Sequence, residues 1–315
     1  MKEQTLRQPR LWFFGTGHFA SACLRHITKE INFELIVTSP PSRGGRGMKL
    51  IPTPVEEECA LLGFPVLHSG RVSEEPELVE RLQESPPASI LVVDFGQRIR
   101  EPFLSKPAWG CLNIHPSMLP AYRGAAPVQR ALMNGEGSTG VTLFRLVEEM
   151  DAGPILLQEE WRIGERESAG EILEILAEKG SKLYIQGVEC LREESCGFRE
   201  QDSEMATYAP KIQNMEAEFF WTAPSRVIVF TVRAMNPSPG AFVAHGGRRL
   251  KIWEAVLHHS SGHPGEVLGF VDGNPIVAAS EGSIVLLNVQ PEGKRRTGGA
   301  EWARGNRLKR GDILK

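Results

Sequence analysis

At 315 residues the chain is too long for one ordinary hydrophobic core, and its length favours two domains. With 41% hydrophobic and 24% charged residues and no apolar run long enough to cross a bilayer, the composition is that of a soluble globular protein. A membrane-spanning chain is excluded, and the polar start MKEQTLRQPR lacks a signal peptide, so a cytoplasmic location is expected. The net charge of -3 hides an asymmetry: of 36 Lys and Arg and 39 Asp and Glu, 14 and 9 respectively fall between Lys211 and Lys315, which leaves the earlier part acidic and the last part basic. A basic last part suits a polyanionic partner, and equally a solvated surface.

In chain order, LWFFG at 11–15 reads as a buried strand and FASACLRHITKE has helical spacing of its apolar residues. FELIVTS is the next strand. The join FFGTGHFA has the GxGxxA spacing of a dinucleotide-binding turn, but the second strand ends in Thr38-Ser39-Pro40, without the acid that would hold a ribose, so a tight strand-to-helix turn is the better reading. Residues 40–54, PPSRGGRGMKLIPTP, read as a loop in which Arg43, Arg46 and Lys49 lack a nearby acid and could meet phosphates, or could simply be solvated. A helix over PVEEECALLG, a short strand near Leu67, a helix over PELVERLQE and buried strands at SILVVDF and GCLNIH follow. This alternation predicts a doubly wound α/β domain whose ligands sit beyond the carboxyl ends of the strands.

VTLFRLV at 141–147 and ILLQEEWRI read as antiparallel neighbours, and a long amphipathic helix is expected from about Ala169 to Leu191. The polar, broken segment CGFREQDSEMATYAPKI marks the domain boundary, giving domains 1–206 and 207–315. SRVIVFTVRAM fits helix or strand equally. The short runs after it, divided by Gly-rich turns, suggest a small closed barrel. The five cysteines include no CxxC, which argues against a disulfide framework or a zinc site and for reduced, mostly buried thiols.

The chemistry centres on GCLNIHPSMLPAYRGAAP at 110–127, read with EEMDAGPIL. Asn113 and His115 are two apart in a strand, so their side chains leave the same face, and Asp151 follows a neighbouring strand. A carboxamide can stabilise an oxyanion, an imidazole can move protons, and a carboxylate can orient or charge the imidazole. Each alone is weak, because a single strand histidine is more often structural.

With FFGTGHFA, GRGMKLIPTPV, NIHPSMLPAYRGAAPVQRA, GVTLFRLVEEMDAGPIL, TYAPKI, NPSPGA and EGKR in that order, the sequence resembles the methionyl-tRNA formyltransferase family, a branch of the folate-dependent formyltransferases. The resemblance implies an N-terminal Rossmann-like catalytic domain followed by a C-terminal OB-type β-barrel that binds tRNA. It implies transfer of the formyl group of 10-formyltetrahydrofolate to the α-amino group of initiator methionyl-tRNA, without a metal, by a monomer. It places the catalytic residues at Asn113, His115 and Asp151, the folate wall at Ser117, Met118, Leu119 and Pro120, and tRNA contacts at Arg43, Arg46 and Lys49. The sequence departs from the family pattern at Gly17, His18, Ser42, Met48 and Asp94, positions that bear on substrate binding rather than on the reaction. The rival within the same chemistry is a formyltransferase acting on an amino sugar nucleotide. A folate- or RNA-binding protein without catalysis is the rival of another class.

Overall fold

The computed structural model describes residues 8–44 and 48–314. Two compact units interleave along the chain: one takes residues up to 124, then 139–161 and 173–208, and the other takes 125–138, 162–172 and 209–315.

The chain order is β1 (Leu11–Gly15), α1 (His18–Ile27), β2 (Leu35–Thr38), β3 (Ser42–Gly44), β4 (Lys49–Ile51), α2 (Pro54–Leu62), β5 (Leu67–His68), α3 (Pro76–Glu84), β6 (Ser89–Val93), β7 (Cys111–His115), α4 (Pro127–Met133), β8 (Ser138–Arg145), β9 (Ile155–Arg162) and α5 (Ala169–Arg192). The first sheet is ordered β5-β2-β1-β6-β7-β8-β9. β5, β2, β1, β6 and β7 run parallel, and β8 turns antiparallel against β7. β1 and β6 are buried along their whole length, as expected of central parallel strands covered on both faces. From β1 the chain runs outward to β2 and β5, then returns to the other side of β1 as β6. The switch in direction therefore lies between the carboxyl ends of β1 and β6, where a sheet of this kind opens a ligand crevice.

Local signals account for the helix ends. Thr53 caps α2 by accepting from the Glu56 N–H at 3.1 Å, Pro54 begins the first turn, and Gly63 ends the helix in the left-handed conformation. α5 is the long helix that the amphipathic pattern predicts. It lies close against β7 and β8 because Gly180 has no side chain: a Cβ there would collide with Ile114 Cγ2 and sit 2.9 Å from Val141 Cγ2. The segment read as a loop at 40–54 contains the hairpin β3–β4, with Ser42 opposite Ile51 and Gly44 opposite Lys49.

The second unit contains α6 (Ser225–Ala234), β10 (Phe242–His245), β11 (Arg248–His258), β12 (Val267–Val271), β13 (Asn274–Ala278), β14 (Ser283–Pro291), β15 (Thr297–Gly298) and α7 (Gly299–Gly305). Its antiparallel sheet is ordered β10-β11-β14-β13-β12, with β15 on β14. SRVIVFTVRAM, ambiguous by pattern, is a helix. Its β-branched residues favour a strand locally, but Ile228, Val229 and Val232 form one stripe that buries against Ile252, Leu286 and Trp302, and that packing decides the outcome.

Cys23, Cys59 and Cys111 are buried free thiols, as expected. Burial raises all three, Cys59 to about 11. The expectation fails for Cys190 and Cys196, which form a disulfide. The chain leaves α5 through a turn in which Glu194 is left-handed and Ser195 N–H bonds to Cys190 O at 2.9 Å, and this brings the two Cα atoms to 5.5 Å. A five-residue gap resembles no common cysteine motif, so the sequence carried no sign of the pairing.

Candidate active site

Asn113 and His115 lie on β7 opposite Phe144 and Thr142 of β8, two apart and on one face. Asn113 is half-buried, and among the described residues its carboxamide has no hydrogen-bond partner in the protein. His115 is buried at 6% exposure, with its ring edge-on to Phe144. Its Nε2 lies 2.9 Å from Tyr122 O. A carbonyl oxygen only accepts, so Nε2 carries the proton, and Nδ1 is the basic atom of the neutral ring. Nδ1 faces Asp151 Oδ2 at 3.7 Å, too far for a good hydrogen bond and close enough for a proton gained there to be stabilised by the carboxylate.

Asp151 is largely buried, with 14% of its side chain exposed, and Oδ2 accepts the Gly124 N–H at 2.8 Å. Two non-glycine residues at the site are left-handed, Tyr122 at φ 60° and Asp151 at φ 51°. Strain of this kind persists where surrounding contacts hold it. Here it turns the Tyr122 carbonyl toward His115, an orienting role that the sequence reading gave only to Asp151.

The segment Ser117 to Pro120 is pinned from below. Thr142 Oγ1 donates to Ser117 O at 2.7 Å and accepts the Leu119 N–H at 3.1 Å, and Gln158 Nε2 donates to Leu119 O at 2.8 Å and to Thr142 Oγ1 at 2.9 Å. Ser117 is buried with its hydroxyl on Ala121 O, and Leu119 packs with Phe144 and Ile155. Met118 and Pro120 keep partial exposure. Thr142 and Gln158 were read only as strand residues. A polar residue at an inward position of an apolar run was the available signal.

At the neighbouring crevice, Asp94 is left-handed at the end of β6, and its main-chain oxygen accepts the Thr16 and Gly17 N–H groups. Its carboxylate stands where a side chain on Gly17 would go and accepts the Phe19 N–H at the start of α1. Crowding by protein raises this carboxyl although part of the residue meets solvent. In a dinucleotide-binding turn the helix N-terminus receives a phosphate. In this chain a carboxylate already sits there, a physical reason for reading the join as a tight strand-to-helix turn rather than a dinucleotide site.

Arg43 and Lys49 are exposed on β3 and β4, with no acidic partner among the described residues, and Arg46 lies outside the described residues. Among the described residues no cluster of His, Cys, Asp and Glu could hold a metal ion, and no helix is long and apolar enough to cross a membrane.

The sequence matches the family model "Formyl transferase" over residues 10–188 and "Formyl transferase, C-terminal domain" over 211–307. It is 37% identical to a methionyl-tRNA formyltransferase of Moorella thermoacetica over 308 residues, 97% of this chain and 99% of that protein. The chain belongs to the formyl transferase family. A methionyl-tRNA formyltransferase of Saccharopolyspora erythraea is 36% identical over 97% of this chain and 100% of its own length. Among solved structures, HypX from Aquifex aeolicus superposes with a TM-score of 0.66 at 18% identity, over 98% of this chain and 49% of that one. WlaRD, a sugar 3N-formyl transferase, does so with a TM-score of 0.62 at 18% identity, over 92% of this chain and all of that one. At these identities the two structures speak for the fold alone.

Proposed function

We propose that this enzyme transfers the formyl group of 10-formyltetrahydrofolate to the α-amino group of methionyl initiator tRNA, with Asn113, His115 and Asp151 as its catalytic residues. The observation that carries the reaction is the strand-end constellation: a carboxamide without a hydrogen-bond partner among the described residues and an imidazole of fixed tautomer on one face of β7, with a carboxylate on the imidazole's basic side. The choice of acceptor rests on whole-length identity to methionyl-tRNA formyltransferases, together with the exposed cations Arg43 and Lys49 and the basic last part of the chain.

The formyl donor supplies an acyl group already activated for transfer to an amine. Asn113 donates a hydrogen bond to the formyl oxygen as negative charge grows on it. His115 accepts the proton released by the attacking amine at Nδ1, and Asp151 stabilises the imidazolium that results. Tyr122 O keeps the ring from turning, so the same atom can return the proton to the departing nitrogen. Met118 and Pro120 line the donor's side of the site, and the Thr142–Gln158 pair holds their loop still.

Incubation with 10-formyltetrahydrofolate and either charged initiator tRNA or an amino sugar nucleotide, read by mass spectrometry, tests the assignment. Formylmethionine on the tRNA is expected. A formylated sugar with unmodified tRNA would overturn the choice of acceptor, and near wild-type single-turnover rates in Asn113→Ala, His115→Ala and Asp151→Ala together would overturn the choice of residues.

A further inference from the structure

We infer that Gln201 is a positioning residue for Asp151, acting through the main chain of the turn that carries it. The inference rests on the reading of Asp151 as catalytic. Asp151 is left-handed without being glycine, so its turn needs external support. Its main-chain carbonyls are held by a side chain 50 residues away: Gln201 Nε2 donates to Asp151 O at 2.8 Å and to Gly153 O at 2.7 Å. Both donors of the amide are used, and both hold the same turn.

The amide cannot be turned over. Its Oε1 accepts from Arg123 Nε at 3.1 Å and from Nη2 at 2.8 Å, and a guanidinium only donates while the two carbonyls only accept. Arg123 is 2% exposed, which fixes the orientation from inside the protein. The next residue, Gly124, gives its N–H to Asp151 Oδ2. The side chain of Arg123 and the main chain that follows it therefore bracket Asp151 from opposite ends, one through Gln201 at the backbone and one at the carboxylate that faces His115.

The strand-like segment bearing Gln201 is fastened independently of that side chain. Arg199 and Ile155 exchange both main-chain hydrogen bonds, at 2.8 and 2.7 Å. Thr207 N–H reaches Pro120 O, Thr207 O accepts the Arg123 N–H, and Thr207 Oγ1 accepts the Tyr122 N–H. Truncating Gln201 leaves these contacts and the Gly124 hydrogen bond to Asp151 Oδ2 in place, while the main chain of the 151–153 turn loses its two side-chain donors and Arg123 loses an acceptor.

The test is single-turnover formylation by Gln201→Ala and Gln201→Glu, each made in the wild-type and Asp151→Ala backgrounds, with thermal melts alongside. Gln201→Glu keeps the acceptor for Arg123 and removes both donors to the turn, which separates positioning from packing against Arg123. Misplacing a catalytic group costs roughly 10- to 100-fold. A loss of that size in kcat is expected for both variants, with the KM for either substrate within about twofold. In the Asp151→Ala background the same changes are expected to lower the residual rate by less than about twofold, because the group they position is gone. Full activity in Gln201→Glu, a loss carried by KM alone, or an equal fractional loss in the Asp151→Ala background would overturn the inference while leaving Asp151 catalytic. Wild-type activity in Asp151→Ala itself would instead overturn the reading on which the inference stands.

Discussion

At the scale of single residues, the site separates groups that move charge from groups that hold them. Asn113 has no hydrogen-bond partner among the described residues, so its carboxamide can meet a ligand without breaking a bond to them. Removing one preorganised oxyanion donor costs about 3 kcal/mol. Asn113→Ala is therefore expected to lower the single-turnover rate by roughly two to three powers of ten, with donor affinity, measured by equilibrium titration, changed by no more than about threefold. A parallel fall in affinity and rate would mean that the amide binds the ground state equally well. Asn113 and His115 were legible because alternation in a strand is a fixed rule and their residue types announce chemistry. Tyr122 and Gly124 were not, because they act through a backbone carbonyl and a backbone N–H whose aim is set by left-handed dihedrals that no residue name records. Gln201 was hidden for another reason: it sits in a polar segment that looked like a linker, and only the tertiary fold brings it to Asp151.

At the scale of elements, the close seating of α5 on the sheet governs whether β7 presents its two residues correctly. Alanine is the better helix former by about 1 kcal/mol, so Gly180→Ala should stabilise a helix standing alone. In this protein the added methyl meets Ile114, which lies between Asn113 and His115 and is β-branched and stiff. Overpacking of this kind costs about 1–3 kcal/mol. Gly180→Ala is expected to melt several degrees lower and to lose activity in the same preparation, and a raised Tm would show that the helix shifts freely. A second element-scale contact lies in the other unit, where Arg130 of α4 grips Glu216 at 2.6 and 3.0 Å and also donates to Pro210 O and Lys211 O. The hydrogen bond from Arg130 holds the Glu216 carboxyl below its ordinary value of 4.5. Because the folded value lies below the unfolded one, this contribution is present above the unfolded pKa and is lost as pH falls through the folded pKa. The Tm gap between wild type and Glu216→Gln should be widest near neutrality and should narrow as pH falls below the ordinary carboxyl value and through the lowered one. A gap independent of pH would assign it to lost packing. The helices and strands themselves were largely readable, since capping residues, proline at the first turn and continuous apolar runs each have a local cause. SRVIVFTVRAM was not, because its conformation is decided by what its apolar stripe meets.

At the scale of the whole molecule, the division of charge ties the chain to its acceptor. An acidic earlier part and a basic last part, with Arg43 and Lys49 exposed on a hairpin and unmatched by acids among the described residues, make electrostatic attraction to a polyanion a measurable quantity. Each phosphate contact releases condensed counterions, so log Kd varies linearly with log salt, and each cation lost lowers the slope by about 1. Arg43→Ala combined with Lys49→Ala is therefore expected to weaken tRNA binding at low salt and to reduce the slope by about 2, while formylation at saturating tRNA keeps its rate. The two substitutions lie on β3 and β4 and touch none of the residues assigned to catalysis, so the measurement separates capture of the acceptor from chemistry upon it. An unchanged slope would move the phosphate contacts to the cations beyond Lys211. Substitutions of Arg295 and Arg296, both exposed, would then have to carry the salt dependence instead.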